Sequence, residues 1–196
     1  MELRERILDA ALESFLSVGY TATTAESVAK QLQISKKTLY KVVPSKEQLL
    51  RDSVTYLIEQ LDRGLNTVYE NRSLDFRDRV IAHMDYVMRQ YLRLGSSGVM
   101  AELRRAIPDA WKAFDAWAEQ RRLMFKAMLE EGVREGHLSR TVPIDLMLRV
   151  YAAFMDNFVQ FSARLGEGIS PATLFLGFME IYYNGVIAKP SAGEPA

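Results

Sequence analysis

Between Glu26 and Glu47 the chain carries no acidic residue, while Lys30, Lys36, Lys37, Lys41 and Lys46 all fall in that window. The hydroxyls of Thr24, Ser35 and Thr38 and the phenol of Tyr40 lie in or beside it. Such a group of donors suits a polyanion. A lysine can donate to guanine O6 or N7, and lysine, hydroxyl and phenol groups all bond phosphate oxygens. Lys36, Lys37 and Thr38 are the candidates for reading base edges, and Thr24, Ser35, Tyr40, Lys41 and Lys46 for gripping the backbone. A lysine-rich helix can equally be a plain solvated face, so the weight falls on how these residues are arranged.

They need two short helices held at a fixed angle, and the local signals supply them. Leu3, Ile7, Ala10, Ala11, Phe15 and Val18 recur at helical spacing over residues 3–18, which predicts an amphipathic first helix ended by Gly19. Thr24 is a fitting N-cap for a second helix through Val28, Ala29 and Leu32, and Ser35 for a third through Thr38, Leu39 and Tyr40. Only Gln33 and Ile34 separate the two, the layout in which a helix-turn-helix places its second helix in the major groove. Ser45 caps a fourth helix, with Glu47 in its first turn and Gln48 placed to complete a capping box. The amides just after Ser45 offer a further place for a phosphate.

Behind this head the helical period continues: a long fourth helix to Leu65, one from Asp75 to Leu94, one from near Val99, and one beginning or kinking at Pro108 and stopped by Gly136. Two more follow, over Leu146–Leu165 and Ala172–Ile187. The fold class is therefore all-α, with three helices in front and about six behind, divided into residues 1–47, 48–188 and a Pro/Gly/Ala-rich tail, 189–196.

Over 196 residues, 25 lysines and arginines balance 25 acids, which argues against a protein coated by nucleic acid over its whole surface. With no cysteine there is no disulfide framework and no thiolate metal site or nucleophile. No apolar run approaches the ~20 residues of a membrane span, and the N-terminus lacks a secretory signal; a cytoplasmic protein without membrane contact is expected. His83 and His137 are the only histidines, and no metal-ligand spacing, nucleophile elbow or phosphate loop accompanies them. Neither an enzyme nor a cofactor is indicated.

The segment "RILDAALESFLSVGYTATTAESVAKQLQISKKTLYKVVPSKEQLL", with its "GY", "TT", "VAK", "ISKKTLY" and "PSKEQLL" in order, resembles the N-terminal DNA-binding domain of the TetR family of bacterial transcriptional regulators. The resemblance covers about a quarter of the chain. It implies a homodimer whose heads read the half-sites of a palindromic double-stranded DNA operator, and a helical domain in which a small molecule relieves repression. Three features depart from the family pattern. Gln33 stands where a turn glycine is common, Lys37 at another frequent glycine, and Val42 and Val43 replace an aromatic pair.

In the helix over Leu146–Leu165 one stripe runs Met147, Tyr151, Phe154, Phe158, Phe161 and Leu165, and the opposite side is apolar too. The last helix carries Phe175, Met179 and Tyr182 on one stripe and Leu174, Phe178 and Ile181 on another. Helices apolar on two sides need two covers, so Phe158, Phe161, Phe175, Phe178, Met179 and Tyr182 are candidates for a dimer interface; a central core of a monomer is the alternative. Met88, Tyr91, Trp117, Phe125, Tyr151 and Phe154 are candidates for a pocket holding a small lipophilic effector, uncharged or cationic, although such residues also make ordinary cores. Glu102, Asp156 and Asn157 are available to orient it. A competing reading makes the chain a helical binding protein whose head docks another protein.

Overall fold

The computed structural model describes residues 2–71, 73–94, 97–164 and 171–186. Every regular element among the described residues is a helix: α1 (Leu3–Ala22), α2 (Ala25–Gln31), α3 (Lys36–Val42), α4 (Lys46–Glu70), α5 (Phe76–Leu94), α6 (Ser97–Ala106), α7 (Pro108–Arg134), α8 (Ile144–Arg164) and α9 (Pro171–Val186). Three in front and six behind is the predicted order. The tail 189–196 and the side chain of Phe161 lie outside the described residues.

Local chemistry sets most of the boundaries. Thr24 Oγ1 accepts from the Ser27 amide at 3.0 Å, Ser35 Oγ from the Thr38 amide at 3.0 Å, and Ser45 Oγ from the Gln48 amide at 3.0 Å. Each cap relieves one amide that has no partner within its helix, an effect of about 1 kcal/mol. Pro108 opens α7 as its first residue, where a missing N–H costs nothing. Gly136 closes the same helix with φ 81°, and the His137 amide returns to the Gly132 carbonyl at 2.8 Å. Two expectations need correction. The Gln48 side chain, expected to reach back to Ser45 in a capping box, instead donates its Nε2 forward to Asp52 at 2.7 Å. In α1, Leu3 and Val18 are exposed, whereas Leu8, Leu12 and Leu16 are buried with Ile7, Ala11 and Phe15. The helix is covered on more than one side, so its inward face is wider than a single stripe.

The chain divides into two compact units. The first comprises residues 1–67 and 92–119, the second 68–91 and 120–196, so α4, α5 and α7 contribute to both. The first unit therefore extends beyond residue 47 and takes in α6 and the first part of α7. Its core is built on α1 with Val28, Leu39, Val43, Leu49, Leu50, Leu57, Leu103 and Trp111. The second unit has its own core, in which Phe76, Met84, Phe125, Leu129, Met147, Phe158 and Phe175 are buried. Each fully buried side chain of this size contributes about 1.5–3 kcal/mol.

Candidate nucleic-acid interface and candidate effector residues

The segment joining α2 to α3 is tight. The Gln33 amide donates to the Lys30 carbonyl at 3.1 Å and the Ile34 amide to the Ala29 carbonyl at 3.0 Å. To make this turn Gln33 takes φ 56°, the one non-glycine residue in the left-handed region among the described residues. That conformation costs a β-carbon-bearing residue roughly 1–2 kcal/mol. Val28, Ala29 and Leu39 are buried beneath the pair, and Val43, also buried, fills part of the space where an aromatic ring is more usual.

This support presents the opening of α3 outward. Lys36 and Lys37 are exposed on its first turn, with Lys36 Nζ 6.0 Å from the Tyr40 ring centre. Thr38 is half-buried, and its hydroxyl shares a 2.8 Å hydrogen bond with Ser35. The two hydroxyls thus orient one another, leaving each with further bonding capacity towards a base or phosphate. Thr24, Tyr40 and Lys41 are exposed as well. Lys46 differs from the other lysines: its Nζ donates to the Thr21 carbonyl at 3.3 Å and lies 4.4 Å from the Tyr20 ring centre.

The same stretch of α1 is held by a residue that sequence reasoning placed elsewhere. Glu102 of α6 accepts from the Thr21 amide at 2.8 Å and from the Thr21 hydroxyl at 2.6 Å. The hydroxyl bond, followed by the amide bond, holds its carboxyl below the usual carboxylate range. Glu102 sits against Gly19, whose φ of 84° interrupts α1; a β-carbon there would collide with the carboxylate. Glu102 is therefore engaged with the end of α1 rather than available to a ligand. Nothing local predicted the pairing, since 81 residues separate its partners.

Two short helices in a tight, capped turn, with exposed cationic donors on the first turn of the second, define a helix-turn-helix DNA-binding head. Residues 7–52 match the model of the bacterial regulatory proteins of the tetR family. Over 188 residues, 96% of this chain and 97% of the relative, the sequence is 25% identical to the HTH-type transcriptional regulator YvaF of Bacillus subtilis strain 168. Over 66 residues, 33% of this chain and 31% of the relative, it is 39% identical to the HTH-type transcriptional repressor KstR of Rhodococcus jostii RHA1. The fold matches that of a TetR/AcrR-family transcriptional regulator from Thermobifida fusca, with a TM-score of 0.71 at 18% identity over 93% of this chain and 97% of that one. Residues 7–52 are thus a tetR-family DNA-binding head, and over nearly its whole length the chain is similar to an HTH-type transcriptional regulator. Among the described residues no helix is long and apolar enough to cross a membrane.

The structure brings five of the six candidate effector residues into one core. Met88, Phe125 and Tyr151 are buried there, with Tyr91 and Phe154 packed against them. Trp117 belongs to the first unit, where its indole nitrogen donates to Asp62 at 2.8 Å. Asn157 donates its side-chain amide to the Ala153 carbonyl at 2.8 Å, and the side chain of Asp156 lies outside the described residues.

The helices chosen for dimerisation turn out to be oriented differently from expectation. Phe158, Phe175, Met179 and Tyr182 are buried within the single chain and Phe178 is half-buried. The outward apolar positions are instead Leu146 and Val150 on α8, 50% and 46% exposed, and Leu176 and Ile181 on α9, 66% and 77% exposed. The larger rings went to the interior because Phe154 stacks on Phe178 at 3.7 Å between ring centres and Phe158 meets Phe175 edge-on at 6.3 Å.

A buried histidine in the second unit was not assigned a role from sequence. His83 stacks on Phe125 with ring centres 4.0 Å apart and shares a 2.9 Å hydrogen bond between Nδ1 and the Tyr69 hydroxyl. Burial lowers its pKa to about 3 from an ordinary 6.5 and raises that of Tyr69 to about 12, partly offset by the nearby Arg121 charge. Below pH 6.5 the unfolded chain binds a proton that the folded chain refuses, so stability is complete above pH 6.5 and falls with pH towards 3. Between pH 7.5 and pH 5, a range above most carboxylate titration, about 2 kcal/mol should be lost. Urea unfolding across this range checks it. In His83→Asn, which keeps a side-chain group near Nδ1, the slope should flatten, and an unchanged slope would assign it to another group.

Proposed function

We propose that the chain is a homodimeric repressor that binds a palindromic operator and leaves it when a small lipophilic effector occupies the second unit. The observation that carries the reading is the exposed, cap-fixed first turn of α3, from which Lys36, Lys37 and Thr38 are proposed to read bases. Thr24, Ser35, Tyr40, Lys41 and Lys46 serve the phosphates, together with the first amides of α4, which lack acceptors within the helix. The negative sign of regulation is supported by the similarity, over 66 residues, to the KstR repressor.

The dimer is proposed to form through the outward faces of α8 and α9, with Leu146, Val150, Leu176 and Ile181 at its centre and Phe178 beside them. Two adjacent helices exposing large aliphatic residues form a self-complementary surface when a second copy repeats them about a two-fold axis. A two-fold dimer in turn calls for a palindromic site.

Selection from a random double-stranded DNA pool, followed by anisotropy on the enriched sequence, tests the reading. A palindrome should emerge, and Lys37→Ala should reduce discrimination against mismatched sites by roughly 1–3 kcal/mol while leaving binding to random DNA nearly unchanged. Equal losses on both DNAs would remove Lys37 from base readout. If no sequence is enriched even at low salt, the head docks a protein instead.

A further inference from the structure

The two fully buried tyrosines of the second unit's core differ in one respect. Tyr182 donates its hydroxyl to the Met147 carbonyl at 3.0 Å, whereas the Tyr151 hydroxyl, equally buried, has no hydrogen-bond partner. Its ring lies 5.7 Å from Phe125 and 6.3 Å from Tyr182, centre to centre. Phe125 is also the ring on which His83 stacks, and His83 Nδ1 is already bonded to the Tyr69 hydroxyl. An orphaned buried hydroxyl is costly and uncommon in a native protein.

We infer that the Tyr151 hydroxyl is the polar anchor for an uncharged, largely apolar effector carrying a hydrogen-bond-accepting oxygen, such as a ketone or ester carbonyl. The inference rests on the proposed effector site and specifies its chemistry. Met88, Phe125 and Phe154 supply apolar contact, and the phenol supplies one directional bond in a medium where such a bond discriminates strongly. Charge is selected against on both sides. No acidic side chain is buried among the described residues, so a cationic group buried here would lack a buried counter-charge. Burial and the neighbouring phenols Tyr91, Tyr182 and Tyr69 push the Tyr151 phenol well above its ordinary pKa, the mark of surroundings hostile to negative charge. Arg121, whose charge reaches Tyr69, is a cation through which an acid could still enter.

The full-length protein and its Tyr151→Phe variant decide the matter in two measurements. Without ligand, removing the orphaned hydroxyl should raise the melting temperature by about 3 °C; an unchanged or lower value means that the hydroxyl is already satisfied and overturns the anchor. Calorimetric titration with 2-decanone, decanoate and decylamine should rank the ketone tightest, and Tyr151→Phe should weaken it about tenfold. Decanoate or decylamine binding more tightly than the ketone overturns the uncharged class. Equal ketone affinity in both proteins overturns Tyr151 while sparing the lipophilic effector reading, whereas binding of none of the three by the wild type sinks both.

Discussion

Raising monovalent salt from about 50 to about 200 mM should weaken operator binding roughly a hundredfold. Each head places two exposed or half-buried lysines, Lys41 and Lys46, where phosphates are expected, so a dimer neutralises four. Each neutralised phosphate releases condensed counterion, which sets a log–log slope of about −3.6 for duplex DNA. The tie of Lys46 to Thr21 and the Tyr20 ring makes the slope informative in itself. If Lys46 keeps these contacts on DNA, only Lys41 counts, the slope halves to about −1.8, and the loss shrinks to roughly tenfold. Anisotropy titrations at several salt concentrations distinguish the cases, and Lys46→Ala should move the steeper slope to the shallower one. A slope near zero would be incompatible with phosphate anchoring by either lysine.

Gly132→Ala should destabilise the second unit by about 3 kcal/mol, at the upper end of what overpacking costs. The tip of the Phe76 ring abuts α7 at this glycine, so closely that a β-carbon would overlap it. Phe76 cannot simply swing away, since it is buried and its other neighbours include the His137 ring, stacked at 5.0 Å. The melting temperature should drop by about 6–12 °C. Phe76→Leu in the same chain should recover part of the loss by making room, a non-additivity expected of residues in contact. A loss below about 0.5 kcal/mol for Gly132→Ala would show that the ring has room to move.

Much of the head was legible because its determinants are local. Thr24, Ser35 and Ser45 each cap within three residues, and Gly19 and Gly136 end helical stretches through their own φ angles. The spacing of Gln33 and Ile34 between two capped helices predicted the turn, and the structure adds that Gln33 adopts the left-handed conformation a glycine would take more easily. The candidate effector residues were legible as a type, aromatic and thioether, with Trp117 grouped among them although it packs in the other unit. Glu102 was misassigned because an exposed glutamate on a helix carries no mark of a partner 81 positions away.

By itself, the sequence determined the helical class, the order and starts of the helices, the family of the head and the location of the cationic donors. Periodicity and capping act over three or four residues, and charge is counted without knowing the fold. Only the tertiary structure decided which side of a two-faced helix is inward. On α8 and α9 both stripes are hydrophobic enough to be buried; ring-on-ring packing placed Phe158, Phe175, Met179 and Tyr182 inside and left Leu146, Val150, Leu176 and Ile181 outside. It likewise decided which lysine is tethered, which glycine a ring presses upon and which buried hydroxyl lacks a partner. Each of these depends on atoms that the chain brings together from distant positions, and no local pattern encodes them.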